Sequence, residues 1–350
     1  MVDSDIAMEH PHILSFTEIK QAAERIESGI IHTPLCVELG ADVVLCGDSI
    51  DDAVTYAKKV QETSGQIMLR HLAKFEHVHS SDNPLVMAGL GTVGLEIVTQ
   101  LPEVDVVVVP AAAGALLAAV LVACKKYKCS CLVYGAECSK VPKMMKALQA
   151  GRPVPVPVTA NLADGLNASI AGANAFETLK GRLDRMLVVD EVFIARAMIA
   201  MLERERLVAD GAGVCAVAAV MQGLVPELRG KRAVCVISGG NIDCGRLSRV
   251  IQRGLGASGR LLRFAVPMAD YRSGLENLAK AIADESAVVK SMVTEQMWVH
   301  SDVGTTWANV LVETASEAHS ASLKDHLRDL YPSARFAVTD LDDKHKVAVR

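Results

Sequence analysis

The sequence predicts an α/β protein: a parallel sheet with helices on both faces, followed by a smaller βαββαβ module of ferredoxin-like order. Three observations carry this. Apolar residues make up 51% of the 350 residues and charged residues 22%, which supports a large buried core and excludes a disordered chain. Strand-like and helix-like segments alternate as far as about residue 254, with the β-branched run Val104–Val109 typical of a strand covered on both faces. Beyond the glycine-rich stretch Gly254–Gly259 the strands alternate polar and apolar instead.

Ser15, with Glu18 three residues on, forms a capping box, and Ile19, Ala22, Ala23 and Ile26 follow at helical spacing. That helix stops near Gly29, and His32-Thr-Pro34 is extended. Asp42–Leu45 reads as a short strand, and Ile50, Ala53, Val54, Ala57 and Val60 line one helix face. Asp82-Asn-Pro84 starts a helix that runs towards Gln100. After the strand Val104–Val109 come a helix over Leu116–Lys126, a buried strand over Cys131–Tyr134 and a helix over Val141–Ala150. Arg152–Val158, with proline at alternate positions, is a stiff connector. Helices at Glu191–Glu205 and Ala212–Leu224 precede the strand Ala233–Ile237.

The C-terminal pattern is strand Arg260–Met268, helix Leu275–Ile282, strands Val288–His300 and Thr306–Thr314, helix Ala318–Leu330 and strand Arg335–Val338. Residues 254–259 are the natural boundary, which divides the chain into domains at 13–254 and 259–340.

Composition removes several function classes. Net charge is −5, with 36 basic and 41 acidic residues and no basic tract, so nucleic acid is not an expected partner. Apolar runs such as Leu116–Ala123 are too short to cross a bilayer, and the acidic N-terminus lacks a signal segment, so a cytoplasmic protein without a membrane partner is expected. Nine cysteines contain no CxxC pair; Cys129, Cys131 and Cys138 read as small buried hydrophobes rather than zinc ligands. His77 and His79 lie in a loop-like setting and are not expected to hold a metal.

Three segments are candidates for chemistry. Gly89-Leu-Gly91-Thr-Val-Gly94 is a literal GxGxxG, but a helix precedes it and the next strand ends without an acid for a ribose. A nucleotide-binding role is therefore the weaker alternative, and a tightly packed helix start the plainer one. Val107–Pro110, then Ala111-Ala112-Ala113-Gly114-Ala115-Leu116, is a strand, a small-residue turn and a helix. Such a turn offers backbone N–H groups and a helix N-terminus to a phosphate. Alanines in it would cost about 1–2 kcal/mol each if held left-handed, and alanine equally suits an early helix start. Both readings stand. Cys235-Val-Ile-Ser238-Gly-Gly-Asn241 ends a buried strand where parallel sheets bind ligands, with Ser238 placed to hydrogen-bond one.

With these segments in view, the chain resembles the serine/threonine dehydratase (threonine ammonia-lyase) family, pyridoxal-phosphate enzymes of the tryptophan-synthase β-like fold. The resemblance rests on Phe16–Arg25, His32-Thr-Pro-Leu35, Gly40–Asp48, Asp82–Glu96, Ala163-Asp-Gly165, Leu207–Gly213 and Ile237–Asp243, which occur in family order. Residues 259–340 resemble an ACT domain, although the turn Asp270–Leu275 has one residue more than the family's and no proline.

The resemblance implies deamination of L-threonine or L-serine to 2-oxobutanoate or pyruvate and ammonia. It also implies pyridoxal 5'-phosphate as cofactor, amino-acid effectors at the ACT-like module and an oligomeric enzyme. The cofactor is the electron sink, and the protein supplies a Schiff-base lysine, orientation and electrostatics. Ala112, Ala113, Gly114, Ala115 and Leu116 fall on the family's phosphate loop, whose four glycines are here reduced to Gly114. Ser238 falls at the position facing the pyridine nitrogen. In some relatives a nearby metal is held by a glutamate, a carbonyl and an aspartate. Glu137 matches the first, but Lys143 stands at the aspartate, so no metal is carried over.

The Ser-Phe-Lys motif that bears the Schiff-base lysine, and a Gly-Asn-His segment after it, lie in the family between the segments matching His32–Leu35 and Gly40-Ala-Asp. Only Cys36-Val-Glu-Leu39 separates those here, so roughly eighty residues, about half a typical domain, are absent. The chain is internally truncated by this comparison, and no catalytic residue is assigned. It is expected to be catalytically defective, alone or as the non-catalytic partner of a complete paralogue.

Overall fold

The computed structural model describes residues 13–19, 59, 82–269, 272–295 and 304–337. The expected strand at Asp42–Leu45, the helix at Ile50–Val60 and His77/His79 lie outside them, as do His32–Leu35 and Asp270-Tyr271. Contacts divide the chain into two compact units. The first spans Met1–Ala160, Gly165–Val188 and Leu224–Val236; the second spans Asn161–Asp164, Val189–Gly223 and Ile237–Arg350.

In the first unit, the capping box forms as the sequence implies: Ser15 N–H donates to Glu18 Oε2 at 2.8 Å, and residues 16–19 are helical. Helix α1 (Pro84–Gln100) starts on Asn83, whose side chain accepts from Leu85 N–H, with proline in the first turn. Then follow β1 (Val106–Pro110), α2 (Ala115–Tyr127), β2 (Leu132–Cys138) and α3 (Lys143–Ala150). Strand β1 is buried along its whole length, as its β-branched run implies.

Two later elements went unread in the sequence, helix α4 (Ala173–Leu179) and strand β3 (Arg185–Val189). After α5 (Glu191–Ala200) and α6 (Cys215–Met221), strand β4 (Ala233–Cys235) completes a four-stranded sheet in the order β3-β2-β1-β4. Strand β1 runs parallel to both β2 and β4, with Val108 opposite Tyr134 on one side and Cys235 on the other. The parallel α/β fold expected from the alternation is therefore present.

The GxGxxG segment lies inside α1, not at a helix start. Two of its three glycines serve packing: a Cβ on Gly91 would meet the Ile19 side chain at 2.5 Å, and one on Gly94 would meet Ala123 Cβ at 2.6 Å and Val120 backbone at 3.2 Å. Helices α1 and α2 approach closely because Gly94 has no side chain there.

In the second unit, Glu191–Glu205 is α5 followed by a π-helical turn, Met201–Glu205. Helix α7 (Cys244–Ala257), also unread in the sequence, is capped by Asp243 accepting from Arg246 N–H and runs through Gly254 and Gly256. These glycines are thus helical rather than the linker the sequence implied. A Cβ on Gly254 would meet Ile199 and, at 2.9 Å, the Ala195 carbonyl, so its bareness lets α7 pack on α5. The chain turns only at Gly259, where φ is +67°.

Strand β5 (Leu261–Ala269), helix α8 (Arg272–Asp284), strands β6 (Val288–Glu295) and β7 (Thr305–Glu313), helix α9 (Glu317–Leu330) and strand β8 (Arg335–Phe336) follow. The remainder of the expected strand to His300, and Val338, lie outside the described residues. The sheet is antiparallel in the order β6-β7-β5-β8, which makes this a βαββαβ module of ferredoxin-like order. Phe264, Val266, Leu278, Val310, Leu323 and Leu327 centre its core.

Candidate functional site

The small-residue turn leaves the C-terminal end of β1 and enters α2 through Gly114, which is left-handed at φ +107°. A Cβ on Gly114 would strike Met144 Cε, so glycine is required there on both counts. Among the described residues the only positive-φ positions other than glycine are Arg206 and Ser286. Ala112, Ala113 and Ala115 therefore sit in ordinary backbone conformations. The strain expected of alanines in this turn does not arise, because the one position that needs a left-handed residue has kept its glycine.

Two contacts set the turn. Ala111 N–H donates to the Ala136 carbonyl of β2 at 2.8 Å, and the Ala113 carbonyl accepts from Gly172 N–H at 2.9 Å. Gly172 precedes α4, whose start is held from a distance: Asp82 Oδ2 accepts from Asn174 N–H at 3.0 Å and Oδ1 from Ala175 N–H at 2.9 Å. The Asp82-Asn-Pro84 segment thus starts α1 with Asn83 and caps α4 with Asp82. No hydrogen bond from the amides of Ala112, Ala113, Gly114, Ala115 or Leu116 to another backbone group is present among the described residues. They stand at the N-terminus of a 13-residue helix, the arrangement that attracts a phosphate.

Beneath the turn lies a fully buried ion pair that the sequence did not announce. Glu137, at the end of β2, and Lys143, at the start of α3, both have 0% exposure. Lys143 Nζ donates to the Leu166 carbonyl at 2.8 Å and to the Ala111 carbonyl at 3.3 Å, and stands 3.8 Å from Glu137 Oε2. The Glu137 carboxylate also accepts from Met144 N–H at 3.1 Å and Met145 N–H at 2.8 Å. Burial pushes its carboxyl up from the usual range, against the pull of Lys143 and the two amides.

Ser238 lies in the second unit, exposed, in the loop after β4. Asp210 shapes that loop. Its side chain accepts from Gly213 N–H at 2.6 Å and Asn241 N–H at 3.2 Å, and its own N–H donates to the Gly239 carbonyl at 3.1 Å. Gly213, Gly239 and Gly240 each approach backbone or Asp210 too closely for a side chain, and a Cβ on Gly211 would meet the Leu162 carbonyl. Ala163-Asp164, Leu207–Gly213 and Ile237–Asp243, far apart in sequence, are thereby brought side by side. Arg246 pairs with Asp164 in the same cluster.

Among the described residues no three His, Cys, Asp or Glu side chains are grouped as a metal site would require, and no helix is long and apolar enough to cross a membrane.

A parallel sheet whose β1 strand feeds a turn with open amides at a helix N-terminus is a fold suited to a phosphate-bearing cofactor. Residues 33–239 match the family described as pyridoxal-phosphate dependent enzyme, and the chain belongs to it. Within it the chain is threonine ammonia-lyase-like. It is 36% identical over 291 residues to the L-threonine ammonia-lyase of Geobacter sulfurreducens, covering 83% of this chain and 70% of that protein. The L-threonine ammonia-lyase of Thermotoga maritima is 36% identical over 281 residues, or 80% and 67% of the two chains. Among solved structures, threonine deaminase isoform 2 from Solanum lycopersicum has TM-score 0.53 at 28% identity, over 62% of this chain and 61% of that one. Maize serine racemase has TM-score 0.52 at 26% identity, over 62% and 64%. The chain thus spans less than two thirds of these solved relatives.

The family implies pyridoxal phosphate, and the residues present fit it at one end. The open amides of 112–116 and the bare Gly114 suit the phosphate. Lys143, the lysine beneath the turn, is fully buried with its Nζ donating to the Ala111 and Leu166 carbonyls.

Proposed function

We propose that this threonine ammonia-lyase-like chain holds the phosphate of pyridoxal 5'-phosphate but does not deaminate L-threonine or L-serine alone. The observation that carries this is the four-residue link Cys36-Val-Glu-Leu39, standing where the family places its Schiff-base lysine and Gly-Asn-His segment. When bound in the family, the cofactor supplies the electron sink for loss of the α-proton and β-hydroxyl. Here Ala112–Leu116 would bind the phosphate through backbone amides. No lysine is assigned to the covalent step, so no turnover is derived. The antiparallel βαββαβ module fits an ACT-like regulator that binds an amino acid. The chain then acts as a regulatory subunit, in a homo-oligomer or beside a complete paralogue.

The test is the absorption spectrum of the purified chain with added pyridoxal phosphate, together with ammonia release from both amino acids. The expected result is no lysine-bound cofactor band and no ammonia. A borohydride-reducible adduct accompanied by turnover overturns the proposal.

A further inference from the structure

We propose that the Lys143 ammonium is a tethered structural cation that locks the phosphate turn to its surroundings, so that the first unit needs no metal ion there. The group has the surroundings of a dehydrated cation. Oxygens from three separate places face it: the Ala111 carbonyl at the foot of the turn, the Leu166 carbonyl, and the Glu137 carboxylate closing β2. A main-chain carbonyl can only accept, so Nζ donates to both. Glu137 completes the arrangement by capping α3 through the Met144 and Met145 amides. The cation therefore ties together the ends of β1 and β2, the start of α3 and the segment at 166. All of this is sealed from water, with both side chains at 0% exposure.

Charge compensation explains why this lysine is tolerated. A buried carboxylate with no cation is costly, and removing one partner of a buried pair strands the other. A lysine supplies the cation with no dependence on ion concentration. An aspartate at 143 would instead create two carboxylates beside two carbonyls, a hard oxygen set that calls for a divalent ion.

Thermal unfolding of the full chain tests this. For the wild type, Tm is expected to be the same in chelator and in millimolar calcium or magnesium. K143M should lower Tm by roughly 5–10 °C, given the usual scaling for domains of this size. The double variant E137Q/K143M should recover part of that loss, because no charge is then left stranded. K143D should be less stable than wild type in chelator and gain Tm on adding calcium or magnesium, and E137Q/K143D should lose that gain. A wild-type Tm raised by either ion overturns the proposal, as does a K143M variant as stable as wild type, or a K143D variant that folds but ignores both ions. If K143D does not fold at all, the K143M and double-variant comparison decides alone: equal losses in the two refute the charge-pair role.

Discussion

Helix α1 contains a matched pair of glycines whose replacement by alanine should move stability in opposite directions. Gly89 has nothing within 4 Å of the position a methyl would take, whereas a Cβ on Gly94 would lie 2.6 Å from Ala123 Cβ and 3.2 Å from both Cα and O of Val120. Alanine gains about 0.8–1.0 kcal/mol over glycine in a helix interior, and this term applies equally to both sites. G89A should realise it in full. For G94A the new methyl falls well inside the ~3.5–4.0 Å of an ordinary carbon contact. Two of its three neighbours are backbone, which cannot rotate away, so α1 must shift off α2. Overpacking of this kind costs about 1–3 kcal/mol, which equals or exceeds the propensity gain. The shared propensity term cancels between the variants, leaving G94A about 1–3 kcal/mol less stable than G89A. Urea unfolding followed by far-ultraviolet circular dichroism, with both variants and wild type run together, measures this directly. A G94A variant as stable as G89A would refute the claim that Gly94 exists for helix packing.

Other perturbations have equally definite outcomes. G114A should destabilise by at least about 1–2 kcal/mol, the cost of a left-handed alanine, with the Met144 contact adding to it, as read by the same unfolding assay. D210A removes the acceptor of the Gly213 and Asn241 amides and should cost about 1–3 kcal/mol, with faster proteolysis near Ser238. Glu285 is held below its ordinary value by hydrogen bonds from His326 and Ser322. A depressed carboxyl contributes stability above its unfolded value, here near 4.5, and loses it as pH falls through the lower folded value. E285Q should therefore flatten the acid limb of the Tm–pH curve below about pH 4.5; an unchanged limb would exclude Glu285 as its source.

Much of the architecture follows from local signals. The β-branched run at Val106–Val109 marks a central strand because only a strand covered on both faces keeps such residues dry. Ser15 and Asn83 start helices at the positions their own side chains cap. The alternation from Leu261 onward marks a sheet with one buried face, and the βαββαβ order follows from it. The strand, small-residue turn and helix at 107–116 were also readable, because small residues follow a β-branched run there.

Tertiary structure decided the rest, wherever a partner is remote in sequence. Helix α4 has no local cap; Asp82, some ninety positions earlier, supplies it (|i−j| = 92). Gly254 looks like a linker residue until α5 lies against it, and the neighbours that require Gly91 and Gly94 to be bare are set only when Ile19 and α2 fill the space beside them. The alanines at 112, 113 and 115 look strained until the left-handed turn is found at Gly114 alone. Lys143 stands at a helix start, and the Ala111 and Leu166 carbonyls with Glu137 meet its buried charge. Local propensity and periodicity fix which segments are helix or strand, since those terms act over a few residues. Close approach, distant capping and charge compensation depend on atoms that folding brings together, so only the folded chain reveals them.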